Sequence, residues 1–191
     1  MAKKRKKDQN IFPWAAGIFV AGMLLFSPKR SQARGSVVYD DRYSDFSLAR
    51  STTASYATRL LSDIDKIIVH HAGVEGQTAE DYARYHVNTK GRPGISYHLV
   101  IEKDGLAVIG NPLENVPWHT SGENERSIGI VLSGNFDETQ PTPAQLRTLE
   151  LVIRDIRNQL PQPIEVYGHQ DFAATSCPGD NLYPLLNQFK L

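Results

Sequence analysis

The order in which short apolar runs and helical patterns alternate is the feature that most constrains the fold. Runs rich in β-branched residues, typical of strands, occur at residues 64–72, 95–102, 106–109, 127–132 and 164–167. Helical patterns cover residues 78–88 and a longer segment that opens at Thr142 and Pro143, a favoured N-cap and first helical residue. Helices interleaved with strands and one hairpin predict an α/β domain, with a mixed central β-sheet flanked by helices.

Charge divides the chain into unequal parts. The formal net charge is zero, but residues 1–34 hold eight of the 21 Lys and Arg residues and only one of the 21 Asp and Glu residues. We therefore expect a basic N-terminus with an apolar segment (1–34), a linker or irregular lead-in (35–58) and one folded domain (59–191). Because the domain carries an excess of acidic residues, we expect no nucleic-acid partner, since that affinity comes largely from phosphate neutralisation.

The N-terminus resembles an export signal. Five consecutive basic residues, 3–7, precede an uncharged and mostly apolar run at 11–26, which fits a signal peptide or a short signal anchor. Lys29 and Arg30 separate that run from a small-residue cleavage motif at 31–33, which argues against cleavage. We expect an N-terminal membrane anchor and a domain exported to the cell envelope or periplasm. A cytosolic protein with a basic tail is the alternative.

Cys177 is the only cysteine, so no internal disulfide can form. It could be a small buried hydrophobe, a nucleophile or a soft metal ligand. His169 lies eight positions upstream, and a strand pattern far upstream ends in His70 and His71. Adjacent strand residues point to opposite faces, so at most one of that pair faces a given site. Two imidazoles, one thiolate and an open fourth position are typical of a catalytic zinc site.

Ordered blocks of sequence resemble a known family. They are IIVHHA, RYHVNTKGRPGISYHLVIEKDG, SIGIVLSGNFD, TPAQL and YGHQDFAATSCPGD, which together span roughly residues 60–185. The chain is similar to the zinc amidases that include peptidoglycan recognition proteins and phage lysozyme-type amidases. These are N-acetylmuramoyl-L-alanine amidases, so the resemblance implies their fold, bound Zn²⁺ and peptidoglycan or muropeptides as partners, most simply for a monomer.

The resemblance also assigns roles to individual residues. His70, His169 and Cys177 match the three zinc ligands, and Tyr97 matches the catalytic tyrosine. Thr175 occupies a position that is lysine in phage-type members and threonine in recognition-protein amidases, and we assign it a catalytic role. Its hydroxyl can donate a hydrogen bond but supplies no positive charge.

Three further residues are expected at the substrate. His119 resembles a groove histidine, and we expect His71 and Trp118 to bind substrate with it, whereas His86 is structural or groove-lining. Some bacterial cytosolic relatives have an acidic residue where this chain has Val131, and an aspartate as third ligand. The chain therefore resembles the recognition-protein branch more closely.

Three functions remain open on the sequence. The first is a zinc hydrolase that cleaves the amide between N-acetylmuramic acid and L-alanine. The second is a non-catalytic peptidoglycan-binding module of the same fold, which would not need the thiolate of Cys177. The third is a structural anchor protein whose histidines are ordinary core residues. The combination of Cys177, both histidines and Tyr97 favours the enzyme.

Overall fold

The computed structural model describes residues 36–191. Strands and helices alternate along the chain, in the order β1 (Tyr39–Asp40), β2 (Lys66–His71), α1 (Ala79–Asn88), β3 (Leu99–Ile101), β4 (Ala107–Ile109), β5 (Ser127–Leu132), α2 (Pro143–Gln159) and β6 (Glu165–Gly168). Short 3₁₀ helices cover Leu61–Asp63, Asn124–Arg126, His169–Asp171 and Tyr183–Phe189. The expected α/β architecture is confirmed.

The strands form one mixed sheet in the order β1-β4-β3-β5-β2-β6. The pairing of β3 with β4 is antiparallel, as predicted for a hairpin, and all other pairings are parallel. As a result, β2, β5 and β6 end at the same edge of the sheet. In open α/β sheets, ligands bind beyond the carboxyl ends of such parallel strands.

Helix α2 covers one face of the sheet. Thr142 caps it: the Thr142 hydroxyl oxygen accepts the N–H of Gln145 at 3.1 Å, and the Gln145 side-chain oxygen accepts the N–H of Thr142 at 3.0 Å. These bonds satisfy two backbone donors that would otherwise lack partners. The apolar stripe of the helix then packs on alternate residues of β2, β3 and β5. The resulting core includes Ile67, Val69, Ile101, Ile128, Ile130, Leu149, Val152 and Ile153.

Helix α1 covers the opposite face and is shorter. Its Ala79, Tyr82 and Ala83 pack against Val100 and Val131, the intervening strand residues. Thr78 caps the helix, and its N–H donates to Asp81 at 2.9 Å. Since His70 lies beside Val131 in the sheet register, the His70 side chain shares the α1 face.

One predicted strand is shorter than its sequence pattern. The expected strand at 95–102 is regular only over Leu99–Ile101. The side chain of Asn111 donates to the carbonyl oxygens of Ile95 and Tyr97, both at 2.8 Å. A side-chain amide therefore replaces the neighbouring strand here, and Tyr97 lies on an irregular segment beside the sheet rather than within it.

The described part of the lead-in packs on the domain. Most of residues 36–58 is irregular, but β1 pairs with the β4 edge, and Leu48 and Tyr56 are buried. The Tyr39 hydroxyl donates to Asp155 on α2 at 2.7 Å. The described residues 36–58 thus contact the rest of the domain through β1, Leu48 and Tyr56, and the boundary at residue 59 stays a prediction.

The N-terminal anchor predicted within residues 1–34 lies outside the described residues. Among residues 36–191, no helix is both long and apolar enough to cross a bilayer.

Candidate metal centre

The three predicted metal ligands meet at the carboxyl edge of the parallel strands. His70 lies near the end of β2, and His169 directly follows β6, which pairs with β2 in parallel register. Their ring centroids are 4.5 Å apart. Cys177 comes from the next loop, and the potential ligand atoms of the three residues all lie within 4.8 Å of one another.

The geometry of this group fits a tetrahedral metal ion. Ligand bonds of about 2.3 Å to sulfur and 2.0–2.1 Å to nitrogen at a tetrahedral angle place the two ligand atoms about 3.5 Å apart. Nδ1 of His70 lies 3.6 Å from Sγ of Cys177. The backbone N–H of His71 donates to the same sulfur at 3.4 Å, a contact that favours a thiolate. One sulfur and two imidazole nitrogens are the donors that zinc prefers.

Burial sets the protonation of these groups. It lowers the pKa of His70 well below 6.5, with further lowering from His119, and it lowers the pKa of His169. Both imidazoles are therefore neutral at pH 7, as metal ligation requires. Burial raises the pKa of the Cys177 thiol to about 12. The metal-free thiol is thus protonated at pH 7, and ligation has to release its proton.

Short contacts hold the loop that carries two of the ligands. The N–H of Gln170 donates to the carbonyl oxygen of Cys177 at 2.8 Å, which joins the two ends of the loop. Asp171 accepts the N–H of Gly168 at 2.9 Å and the hydroxyl of Tyr183 at 2.5 Å. These contacts tie the loop to β6 and to the C-terminal 3₁₀ helix, and so help to fix the spacing of His169 and Cys177.

The two residues predicted to be catalytic flank the predicted metal ligands. The ring of Tyr97 lies 5.3 Å from that of His70, and burial raises the pKa of Tyr97, with a smaller contribution from Cys177. Its hydroxyl is therefore a hydrogen-bond donor at neutral pH. Thr175 is exposed, and its oxygen accepts the N–H of Cys177 at 3.2 Å. This contact leaves the Thr175 hydroxyl proton available to another acceptor.

The structure separates the three predicted substrate residues by exposure. Trp118 is 47% exposed, with its ring edge-on to Tyr56 at a centroid distance of 5.7 Å, so it is open to a ligand. His71 points away from His70, and its Nδ1 accepts the N–H of Phe136 at 3.1 Å. Substrate binding by these two residues stays a prediction.

His119 is 8% exposed and lies directly behind His70. Its Nδ1 is 3.1 Å from Nε2 of His70. Burial, with a smaller contribution from the nearby Arg59, lowers the pKa of His119 to about 3. Substrate contact by His119 stays a prediction. Its position against His70, a predicted metal ligand, is one that the sequence did not indicate. Thr120 and Ser127, which also touch His119, were not singled out by any sequence pattern.

Comparison with known proteins gives the family. The N-acetylmuramoyl-L-alanine amidase family matches residues 60–180. A human N-acetylmuramoyl-L-alanine amidase is 33% identical over an alignment of 133 residues that covers 63% of this chain but only 23% of the human protein. The chain therefore spans about a quarter of the length of that relative.

Solved structures agree with this match. A bumblebee peptidoglycan recognition protein, PGRP-SA, superposes with a TM-score of 0.72 at 25% identity, over 80% of this chain and 95% of that one. The N-acetylmuramoyl-L-alanine amidase LysC of Clostridium intestinale gives a TM-score of 0.61 at 32% identity, over 70% of this chain and 89% of its own. The chain belongs to the N-acetylmuramoyl-L-alanine amidase family.

Proposed function

We propose that the protein is a zinc-dependent hydrolase that cleaves the amide between N-acetylmuramic acid and L-alanine in peptidoglycan. The observation that carries this proposal is the convergence of His70, His169 and Cys177, with Nδ1 and Sγ 3.6 Å apart. The family match and the amidase relatives support the same reaction. When bound, zinc supplies a Lewis acid and an activated water at neutral pH.

The chain's own residues would then orient the substrate and stabilise charge. Tyr97 keeps its proton at neutral pH, so it can donate a hydrogen bond to the oxygen on which negative charge develops. Thr175 offers a second, neutral donor from the ligand loop. The exposed ring of Trp118 provides an apolar surface suited to packing against a sugar or peptide face.

The cellular setting is proposed from the charge pattern. A basic N-terminus followed by an uncharged apolar run supports an exported protein with an N-terminal membrane anchor, a monomer acting in the cell envelope. Peptidoglycan or soluble muropeptides would then be within reach of the domain. Remodelling, recycling or lysis of wall material are all consistent with this placement.

A non-catalytic peptidoglycan-binding module of the same fold is the second candidate. Recognition by shape and hydrogen bonding needs the groove but has no use for a buried thiol beside two imidazoles. Cys177 is 8% exposed, and its sulfur lies 3.4 Å from the backbone nitrogen of His71 and 3.6 Å from Nδ1 of His70. The ligand set therefore favours the hydrolase.

Mass spectrometry of muropeptide digests tests the reaction. We expect free stem peptides and peptide-free glycans from the wild-type protein, loss of these products with a zinc chelator, and recovery when zinc is added back. The variant Cys177→Ala should be folded but inactive. Ser176→Ala is the matched control, because it changes the neighbouring exposed side chain and removes only a contact with Asp137. Full cleavage by Cys177→Ala would refute the zinc assignment.

A further inference from the structure

The second ring nitrogen of His70 is buried against another histidine. His70 is 1% exposed, and its Nε2 lies 3.1 Å from Nδ1 of His119 and 3.4 Å from the hydroxyl oxygen of Thr120. A neutral imidazole that offers Nδ1 to a metal carries its proton on Nε2. A buried N–H needs an acceptor, and Nδ1 of His119 is the nearer of the two atoms.

The far side of His119 sets the direction of this hydrogen bond. Ser127 is fully buried, and its hydroxyl donates to the carbonyl oxygen of Glu123 at 2.7 Å. The Ser127 oxygen lies 3.3 Å from Nε2 of His119 and is left with lone pairs only, so it accepts the Nε2 proton. Nδ1 of neutral His119 is then an acceptor, with Nε2–H of His70 at 3.1 Å and the Thr120 hydroxyl at 3.0 Å as its two donors.

Packing keeps the His119 ring in this position. Its backbone N–H donates to the side-chain oxygen of Asn124 at 2.9 Å. The ring lies against the backbone of Gly129, where a Cβ would stand 2.6 Å from Cγ and Cδ2 of His119. Any side chain at position 129 would overlap the ring, so the close approach of His119 to His70 depends on that glycine.

We propose that His119 is a positioning residue for the metal centre, which accepts the Nε2 proton of His70 and holds Nδ1 of His70 toward Cys177. Ser127 fixes the tautomer of His119 and is the last member of this series of hydrogen-bonded side chains. This inference rests on the proposed function, because it takes His70 as a zinc ligand. It gives His119 a role in metal binding that does not require contact with substrate.

Two amide replacements separate the proposed contact from general packing. In His119→Asn, the amide oxygen can occupy the place of Nδ1 and still accept from His70. In His119→Gln, the amide lies nearer the place of Nε2 and faces Ser127, so the acceptor for His70 is lost. Zinc affinity is measured by chelator competition, and the Co²⁺-substituted proteins are compared by their sulfur-to-metal absorption bands.

We expect His119→Ala and His119→Gln to weaken zinc binding about 10- to 100-fold and to alter the Co²⁺ spectrum, the usual cost of removing a partner of a metal-bound histidine. His119→Asn should stay near the wild-type affinity. Thr120→Val removes the oxygen that lies farther from Nε2 of His70. It should weaken zinc binding less than His119→Ala does. His86→Ala is the matched control, since His86 is a histidine with the same 8% exposure and no hydrogen bond to His70.

Three results would overturn the inference. One is zinc binding by His119→Gln equal to that of the wild type. Another is an equal loss in His86→Ala and His119→Ala, which would indicate general loosening of the core. The third is a larger loss in Thr120→Val than in His119→Ala, which would make Thr120 the acceptor. A wild-type protein that binds no zinc would instead refute the proposed function itself, and this inference with it.

Discussion

Acidification should destabilise the fold through His86, a buried histidine on α1 outside the set of predicted ligands. Burial, with smaller contributions from Arg92 and Lys90, lowers its pKa from 6.5 to about 4. Its Nδ1 accepts the N–H of Ser96 at 3.2 Å, so a proton on that nitrogen would place donor against donor. Ser96 precedes Tyr97, and the His86 and Tyr97 rings are 5.7 Å apart. Protonation of His86 therefore breaks the hydrogen bond to Ser96 and destabilises the segment that carries Tyr97.

The size of the effect follows from the two pKa values. An unfolded chain takes up this proton near pH 6.5, whereas the folded protein takes it up only near pH 4. The contribution of neutral His86 to the stability of the fold is complete above pH 6.5 and is lost as the pH falls toward 4. With about 1.4 kcal/mol for each pKa unit, the free energy of unfolding should fall by about 2 kcal/mol between pH 7 and pH 5 from His86 alone.

Urea unfolding of the metal-free protein at about pH 7 and pH 5, for the wild type and His86→Asn, isolates this contribution. Asparagine keeps an acceptor for the N–H of Ser96 but does not titrate. The other buried histidines contribute to both proteins and cancel in the comparison. The wild type should lose about 2 kcal/mol more than the variant over this pH interval. Equal losses in the two proteins would refute the reasoning.

Three further changes test separate parts of the structure. Thr142→Ala removes the side-chain cap of α2 and should cost about 1 kcal/mol of unfolding free energy in denaturant titrations, whereas an unchanged midpoint would contradict the capping contact. Gly129→Ala places a Cβ 2.6 Å from the His119 ring and should cost about 1–3 kcal/mol; thermal unfolding at the wild-type temperature would show that the ring moves without penalty. Trp118→Ala should weaken muropeptide binding in titration calorimetry while leaving stability nearly unchanged, because the side chain is 47% exposed; unaltered affinity would remove Trp118 from the binding surface.

Local signals in the sequence predicted most of the regular structure. The strand expected at 127–132 is found as Ser127–Leu132, and the helix expected after Thr142 begins at Pro143. These elements are specified by contiguous patterns, namely a β-branched run and a cap followed by an apolar stripe. The hairpin of β3 and β4 was likewise predicted from its turn residues. Such features depend on neighbours in the chain and can be read without tertiary contacts.

The surroundings of the metal ligands could not be predicted in the same way. Nε2 of His70 contacts His119, which is 49 residues away in the sequence, and the contact needs the space that Gly129 leaves beside the His119 ring. The position of Tyr97 depends on the side chain of Asn111, which replaces a strand partner. Neither contact has a local pattern. The family resemblance identified the side chains that meet. The hydrogen-bond partner of Nε2 of His70 and the support of the backbone at Tyr97 become visible only in the folded structure.

The long separation of the metal ligands along the chain has a consequence for folding. His70 and Cys177 are 107 residues apart, and the pairing of β2 with β6 brings the segments that carry them together. Contacts of such high sequence separation form late, because a long loop has to close first. A metal that binds the finished site but not the unfolded chain adds about 4 kcal/mol of stability when its free concentration is 1,000 times its dissociation constant. Metal loading would then report that the chain has been synthesised and folded past Cys177, and a chain cut short before that residue could not acquire it.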